Sequence, residues 1–213
     1  MQGHIFHGYL KYSLCFLFIF VFSSTAMAFK GPKDAYKKYR SLITTDYDED
    51  ENLTSAMNEL HHPHFVLKRP NGKNSDFMLT ASVSIEGPTS DPSKAQVSLI
   101  FSTISPMDWK YMKCHDLQMV VDGKRLDLPP ASHDGDVEMP LIYEYVEVDL
   151  DLETYLKIAT GAKVEGQICN EKFVFSDKHN WLMLEVLRLV CPNALANAKI
   201  DFDTNNFRAP IKK

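Results

Sequence analysis

From Phe77 onward the chain alternates with a period of two. Phe77, Leu79, Ala81, Val83 and Ile85 fall on one side, with Asp76, Thr80, Ser82, Ser84 and Glu86 on the other. That pattern suits a strand with one face buried and one face wet. A second run repeats it, with Ala95, Val97, Leu99 and Phe101 set against Lys94, Gln96, Ser98 and Ser102. The turn residues Gly87-Pro88 through Asp91-Pro92 between the runs predict an antiparallel pair. A third run sets Val146, Val148, Leu150 and Leu152 against Glu147, Asp149 and Asp151. One sheet face must therefore be covered by something apolar.

Two hairpins add to the sheet. Asp122-Gly123 lies between apolar runs and tolerates the positive φ of a two-residue turn. Counting outward from it places Val121 opposite Lys124, Met119 opposite Leu126 and Leu117 opposite Leu128. The second hairpin pairs Val164–Ile168 with Phe173–Phe175 around Asn170-Glu171, with Ile168 facing Phe173.

Helical spacing marks four other places. Ala35, Tyr36, Tyr39, Leu42 and Ile43 predict a helix over 33–43, and a short one is expected over Leu53–Leu60. A third is predicted over Glu153–Thr160, meeting Gly161. The last begins at Ser176 or Asp177, which can cap it, and ends at Pro192. Its apolar stripe is Leu182, Met183, Val186, Leu187 and Val190, with Glu185 and Arg188 outward.

Together these predict an α+β chain. It has an antiparallel sheet of about six strands, a C-terminal amphipathic helix packed on one face, and a helical N-terminal arm. A helix-decorated β-sandwich is the alternative.

The N-terminus points to export. Lys11 precedes nine unbroken apolar residues, Leu14–Phe22, and Ala26-Met27-Ala28 follows. A charged start, apolar core and small-x-small exit make a cleavable signal peptide, cut after Ala28. Nine residues are too few to span a bilayer, so no membrane span is expected after cleavage. The organisation read from the sequence is a signal peptide at 1–28, a helical arm with an acidic and His-rich linker at 29–64, an α+β domain at 65–195 and a tail at 196–213. The expected location is periplasmic or secreted. The net charge of −5 comes with no clustered Lys or Arg, which argues against nucleic acid and against an anionic membrane surface.

Cys114, Cys169 and Cys191 remain after cleavage. In an oxidising compartment two of them pair by default, and the sequence allows any of the three pairs.

The stretch from Trp109 to Val190 resembles an uncharacterised family of bacterial exported proteins. The matching residues are Cys114-His115, Val121-Asp122-Gly123-Lys124, His133-Asp134-Gly135-Asp136, Glu144-Tyr145-Val146-Glu147-Val148, Ile158-Ala159 and Val164-Glu165-Gly166. That family has no assigned activity, so the resemblance implies an exported α+β domain and no particular chemistry.

Several groups of residues could carry chemistry. His61, His62 and His64 flank Pro63, and clustered neutral imidazoles suit copper, nickel or zinc. The plainer reading is a polar linker, because adjacent residues on an extended chain point to opposite sides. Cys114-His115-Asp116 has the residue types of a thiol nucleophile and base, with His133 or His179 as a more distant base. The plainer reading is a half-cystine. Asp46, Asp48 and Asp50, and again Asp201, Asp203 and Asn205, have calcium-loop spacing, but both sets lack the turn glycine and the closing glutamate. His133-Asp134-Gly135-Asp136 reads first as a turn. Met107, Trp109, Tyr111 and Met112 read as core filling or an exposed apolar rim.

No nucleophile elbow, phosphate loop or zinc-protease motif occurs in the sequence. The expected function is a non-catalytic binding or interaction module of the cell envelope. It would meet an envelope protein or a small ligand through a sheet edge or loop rim. A Cys-His hydrolase or transferase is the alternative, and a metal-capturing protein is the third reading. The sequence calls for no cofactor, and a transition metal is the one it would accommodate.

Overall fold

The computed structural model describes residues 36–87 and 91–200. The signal segment at 1–28 and the acidic set Asp201, Asp203 and Asn205 lie outside the described residues. The α+β class holds, but among the described residues the sheet has eleven strands rather than about six. They are β1 (Ile43–Asp48), β2 (Leu53–Asn58), β3 (Val66–Lys68), β4 (Asn74–Glu86), β5 (Ala95–Pro106), β6 (Leu117–Val121), β7 (Lys124–Arg125), β8 (Ser132–Glu138), β9 (Leu141–Leu150), β10 (Val164–Ile168) and β11 (Glu171–Val174). The helices are α1 (Leu152–Ala159), α2 (Asp177–Val190) and α3 (Pro192–Asn197).

All pairs are antiparallel and all strands belong to one sheet, in the order β7-β6-β10-β11-β3-β4-β5-β9-β8. β4 is forked. It pairs with β5 along most of its length, while its first half meets β3 and its second half meets β2, which carries β1. Two stretches of the sheet meet at a narrow seam, where β11 touches β3 through the single pair Val174↔Lys68. Beside that seam Arg69 holds Glu171 at 2.7 Å and Asp76 at 3.2 Å.

The alternation read from the sequence sets the core. Phe77, Leu79, Ala81, Val83 and Ile85 are buried, as are Val97, Leu99, Phe101, Val146, Val148 and Leu150. Phe173 reaches across from β11, its ring 5.1 Å from Phe101 and 6.2 Å from Phe77. α2 closes this face over β4 and β2, and α1 packs beside it. Ser176 caps α2 as expected, in a capping box with His179.

Five local readings are corrected. The segment 53–60 is not helical: Leu53–Asn58 is strand β2, and Leu42 is the end of a short 3-10 helix over Lys37–Leu42 rather than part of a long arm. The spacing of Leu53, Ala56, Met57 and Leu60 fits a helix, but pairing with β4 along five residues outweighs that local preference. The turn of the second hairpin is Cys169-Asn170, so Gly166 lies opposite Phe173 and Ile168 opposite Glu171. Cys169 takes the positive φ of 55° that closes it. Leu117 pairs with Ile168 and not with Leu128, although Leu126 N–H still donates to Met119. Finally, Glu185 is fully buried instead of outward. The 3-10 segment covers it, and its carboxylate meets Arg40 at 2.7 Å and Arg188 at 2.8 Å.

His179 shows how deep α2 is seated. Its Nδ1 accepts from Ser176 N–H at 3.0 Å, which leaves Nε2 to donate to Phe65 O at 3.3 Å in the neutral ring. Burial, with the charge of Lys178 beside it, pushes the imidazole down to about 3. An unfolded histidine titrates near about 6.5. Below that pH the unfolded chain takes up a proton that the native ring refuses, so stability is lost as pH falls. Between pH 6.5 and 5 this group contributes a slope approaching about 1.4 kcal/mol per pH unit. Urea melts at stepped pH should show that slope reduced by one proton in His179→Gln, whose amide oxygen retains the cap.

Candidate functional site

The sequence-nominated residues meet where the loop from Met107 to Asp116 crosses the inner side of β8 and β9. The core phase of β9 runs Ile142, Glu144, Val146, Val148, Leu150, so it carries one carboxylate among apolar residues. Glu144 is fully buried. Its Oε1 accepts from Tyr111 N–H at 2.8 Å and from His133 Nε2 at 3.1 Å, and its Oε2 accepts from Lys110 N–H at 2.8 Å. The carboxylate thus clasps the loop backbone to β9. It was legible in principle: Glu144 falls in phase with Val146 and Val148, and out of phase with the wet Glu147 and Asp149.

His133 sits on β8, opposite Val146. The segment His133-Asp134-Gly135-Asp136 is therefore edge strand and not a turn. The Trp109 ring lies over Gly135, where a Cβ would stand 2.6 Å from the ring and 2.5 Å from Tyr143 O. That packing requires the glycine. The His115 ring stacks on His133 with centroids 5.7 Å apart, and its Nδ1 is buried with no protein partner. Tyr111 packs against Phe77 at 4.6 Å; burial foremost, then Asp76 and Glu171, pushes its phenol up.

The far end of the loop is covalently held. Cys114 is joined to Cys169 in the β10–β11 turn. Cys191 lies outside that pair, its thiol buried at the start of α3 and pushed up chiefly by burial. The oxidised Cys114 corrects the thiol-nucleophile reading: Cys114, His115 and His133 gather at one place, but the sulfur is spent in the disulfide. What remains is a histidine oriented by a carboxylate, tied to a loop.

The other imidazole cluster splits. His61, at a positive φ of 56°, lies against Tyr143 and Tyr145 with Nε2 3.1 Å from the Tyr145 hydroxyl. His62 and His64 lie ring against ring, tilted, with centroids 4.8 Å apart, and His64 packs against Tyr39 at 5.1 Å. His62 Nδ1 accepts the His64 backbone N–H. Backbone capping and ring packing hold these three, and among the described residues no group of three metal-capable side chains converges. Asp46 and Asp48 lie on β1, where Asp48 accepts from the backbone of Asp50 and Glu51 to form the turn into β2. That turn accounts for the calcium-like spacing.

The second surface of interest is the open end of β5, β9 and β8. β8 is the last strand of the sheet, and it pairs with β9 over seven unbroken residue pairs. Its wet side presents Asp134, Asp136 and Glu138. These carboxylates, after burial itself, push Tyr145 up. Large apolar side chains collect at the same end. Met139 is 78% exposed, Met107 70%, Val137 53% and Ile104 38%. Register brings them to one end of the sheet on its two faces: Val137 pairs with Ile142 on the Glu144 side, Ile104 pairs with Tyr143 on the other side, and Met107 N–H donates to Pro140 O at 3.1 Å. The sequence had marked Met107 and Met112 as a rim, but Val137 and Met139 carried no signal because an edge strand need not alternate.

No helix among the described residues is long and apolar enough to cross a membrane. Comparison of the chain with family models, with curated proteins and with solved structures finds no match.

Proposed function

We propose that this chain is an exported, non-catalytic binding module that meets a partner at the open β8 end of its sheet. The observation that carries the reading is the collection of Met139, Met107, Val137 and Ile104, all exposed, at the end of the sheet where β8 has an edge that no described strand covers. Isolated exposed apolar residues are ordinary, whereas several at one rim mark a contact surface. Flexible methionines suit such a surface because they repack against different shapes. The Cys114–Cys169 disulfide supports an oxidising compartment, in keeping with the signal-like N-terminus and the resemblance to exported proteins. The Glu144 clasp gives the rim a fixed backbone. On this reading the His133–Glu144 pair is structural.

A photocrosslinking residue placed at Val137 or Met139, in cells exporting the protein, should form adducts with one defined species. The same group at Lys124, next to the other end of the sheet, should give none. Equal crosslinking from both positions, or none from either, would overturn the reading. So would turnover of an ester, peptide or glycan substrate that is lost on His133→Ala.

A further inference from the structure

We infer, resting on the reading above, that the partner presents an extended cationic segment that adds to β8 as a twelfth strand. A regular edge is the first requirement, and β8 supplies it: Ser132 to Glu138 pair with Glu147 to Leu141 without a register shift. Its far side carries backbone donors and acceptors that no described strand uses, which is the template for strand addition. Its sequence contains neither proline nor lysine, two residues that commonly blunt an edge.

Charge selects the occupant. The wet side of β8 carries Asp134, Asp136 and Glu138, and the adjacent β9 adds Glu147 and Asp149 on the same side. β5, β8 and β9 contain no Lys or Arg, so none of these three strands supplies a cation to pair with those acids, which suits a partner that brings positive charge. A second copy of the chain is the wrong occupant. Antiparallel pairing of β8 with itself sets its carboxylates against their own copies, and like charges facing across strands are destabilising. The N–H of Gly135 already donates to the Asp134 carboxylate at 2.8 Å. An added strand replaces that acceptor with a carbonyl and releases the Asp134 carboxylate toward a lysine or arginine. Near Met139 the surface becomes apolar, so the segment alternates basic residues over the acids and carries an apolar residue at the Val137 end.

The test uses the disulfide-bonded protein and three blocked seven-residue peptides: alternating Lys-Val, alternating Glu-Val, and the Lys-Val composition with its lysines in one block. Binding is read by amide shifts and hydrogen exchange. The alternating Lys-Val peptide should bind, protect amides between His133 and Val137, and weaken with added salt. Asp134→Asn/Asp136→Asn/Glu138→Gln should weaken it on the order of tenfold, since three facing charge pairs are lost together. Asp134→Lys/Asp136→Lys/Glu138→Lys should transfer the preference to the Glu-Val peptide. Protection elsewhere, equal binding of the block peptide, or indifference to these substitutions would overturn the inference. If the peptides fail while crosslinks at Val137 and Met139 persist, the cationic strand is wrong and the binding surface stands. If both fail, the surface itself is wrong.

Discussion

Replacing Cys114 and Cys169 together by serine is expected to lower the unfolding free energy by about 4 kcal/mol, the chain-entropy value for a loop of this size. The bond spans a sequence separation of 55 residues, long enough for its closure to restrict the unfolded chain strongly. Urea melts of the oxidised protein and of the double serine variant measure the loss. Dithiothreitol should reproduce it in the parent and leave the variant unmoved. A parent indifferent to reduction would mean that the Met107–Asp116 loop is held without its sulfur tether.

Glu144→Ala is expected to cost about 3 kcal/mol, because the buried N–H of Tyr111 and the part-buried N–H of Lys110 lose their acceptor, at about 1–3 kcal/mol for a fully buried group. Glu144→Gln should cost less. Its oxygen can keep Tyr111 N–H and His133, while its NH2 faces the Lys110 N–H with no acceptor to offer. The clasp and the disulfide hold the two ends of one loop, so their effects should not add. Combining Glu144→Ala with the double serine change should cost less than the sum by more than about 0.5 kcal/mol, the scatter expected of independent sites. Simple additivity would show that the loop ends act separately.

The core was readable where apolar residues recur regularly: β4 and β5 carried a period of two and α2 a helical stripe, each of which suits one kind of element, and Asp122-Gly123 carried its turn chemistry. Legibility failed where the controlling interaction is remote. Leu53–Asn58 is strand because β4 supplies its hydrogen bonds, and Glu185 is buried because a 3-10 segment brings Arg40 from 145 residues away. β8 failed for another reason: an edge strand beside solvent can be polar on both faces, and Ser-His-Asp-Gly-Asp-Val-Glu looks like a turn until its partner is known. At the candidate site, sequence brought His115, His133 and Cys114 into view but assigned them to catalysis. The residue that organises them, Glu144, was visible only as a carboxylate in the apolar phase of a strand.

The seam at Val174↔Lys68 has a mechanical consequence. A sheet joined there by one residue pair is weak in shear and tears where its ladder is thinnest. The Cys114–Cys169 bridge runs in parallel with that weak point. It ties the β10–β11 hairpin to a loop anchored on β9, on the other side of the seam. Under tension the hydrogen bonds at the seam give way first and the load passes to a covalent link. Oxidation thus adds a covalent link to the Arg69–Glu171 ion pair and the Phe173 packing that already cross the seam, and the oxidised chain is expected to resist a pull on β8 better than the reduced one.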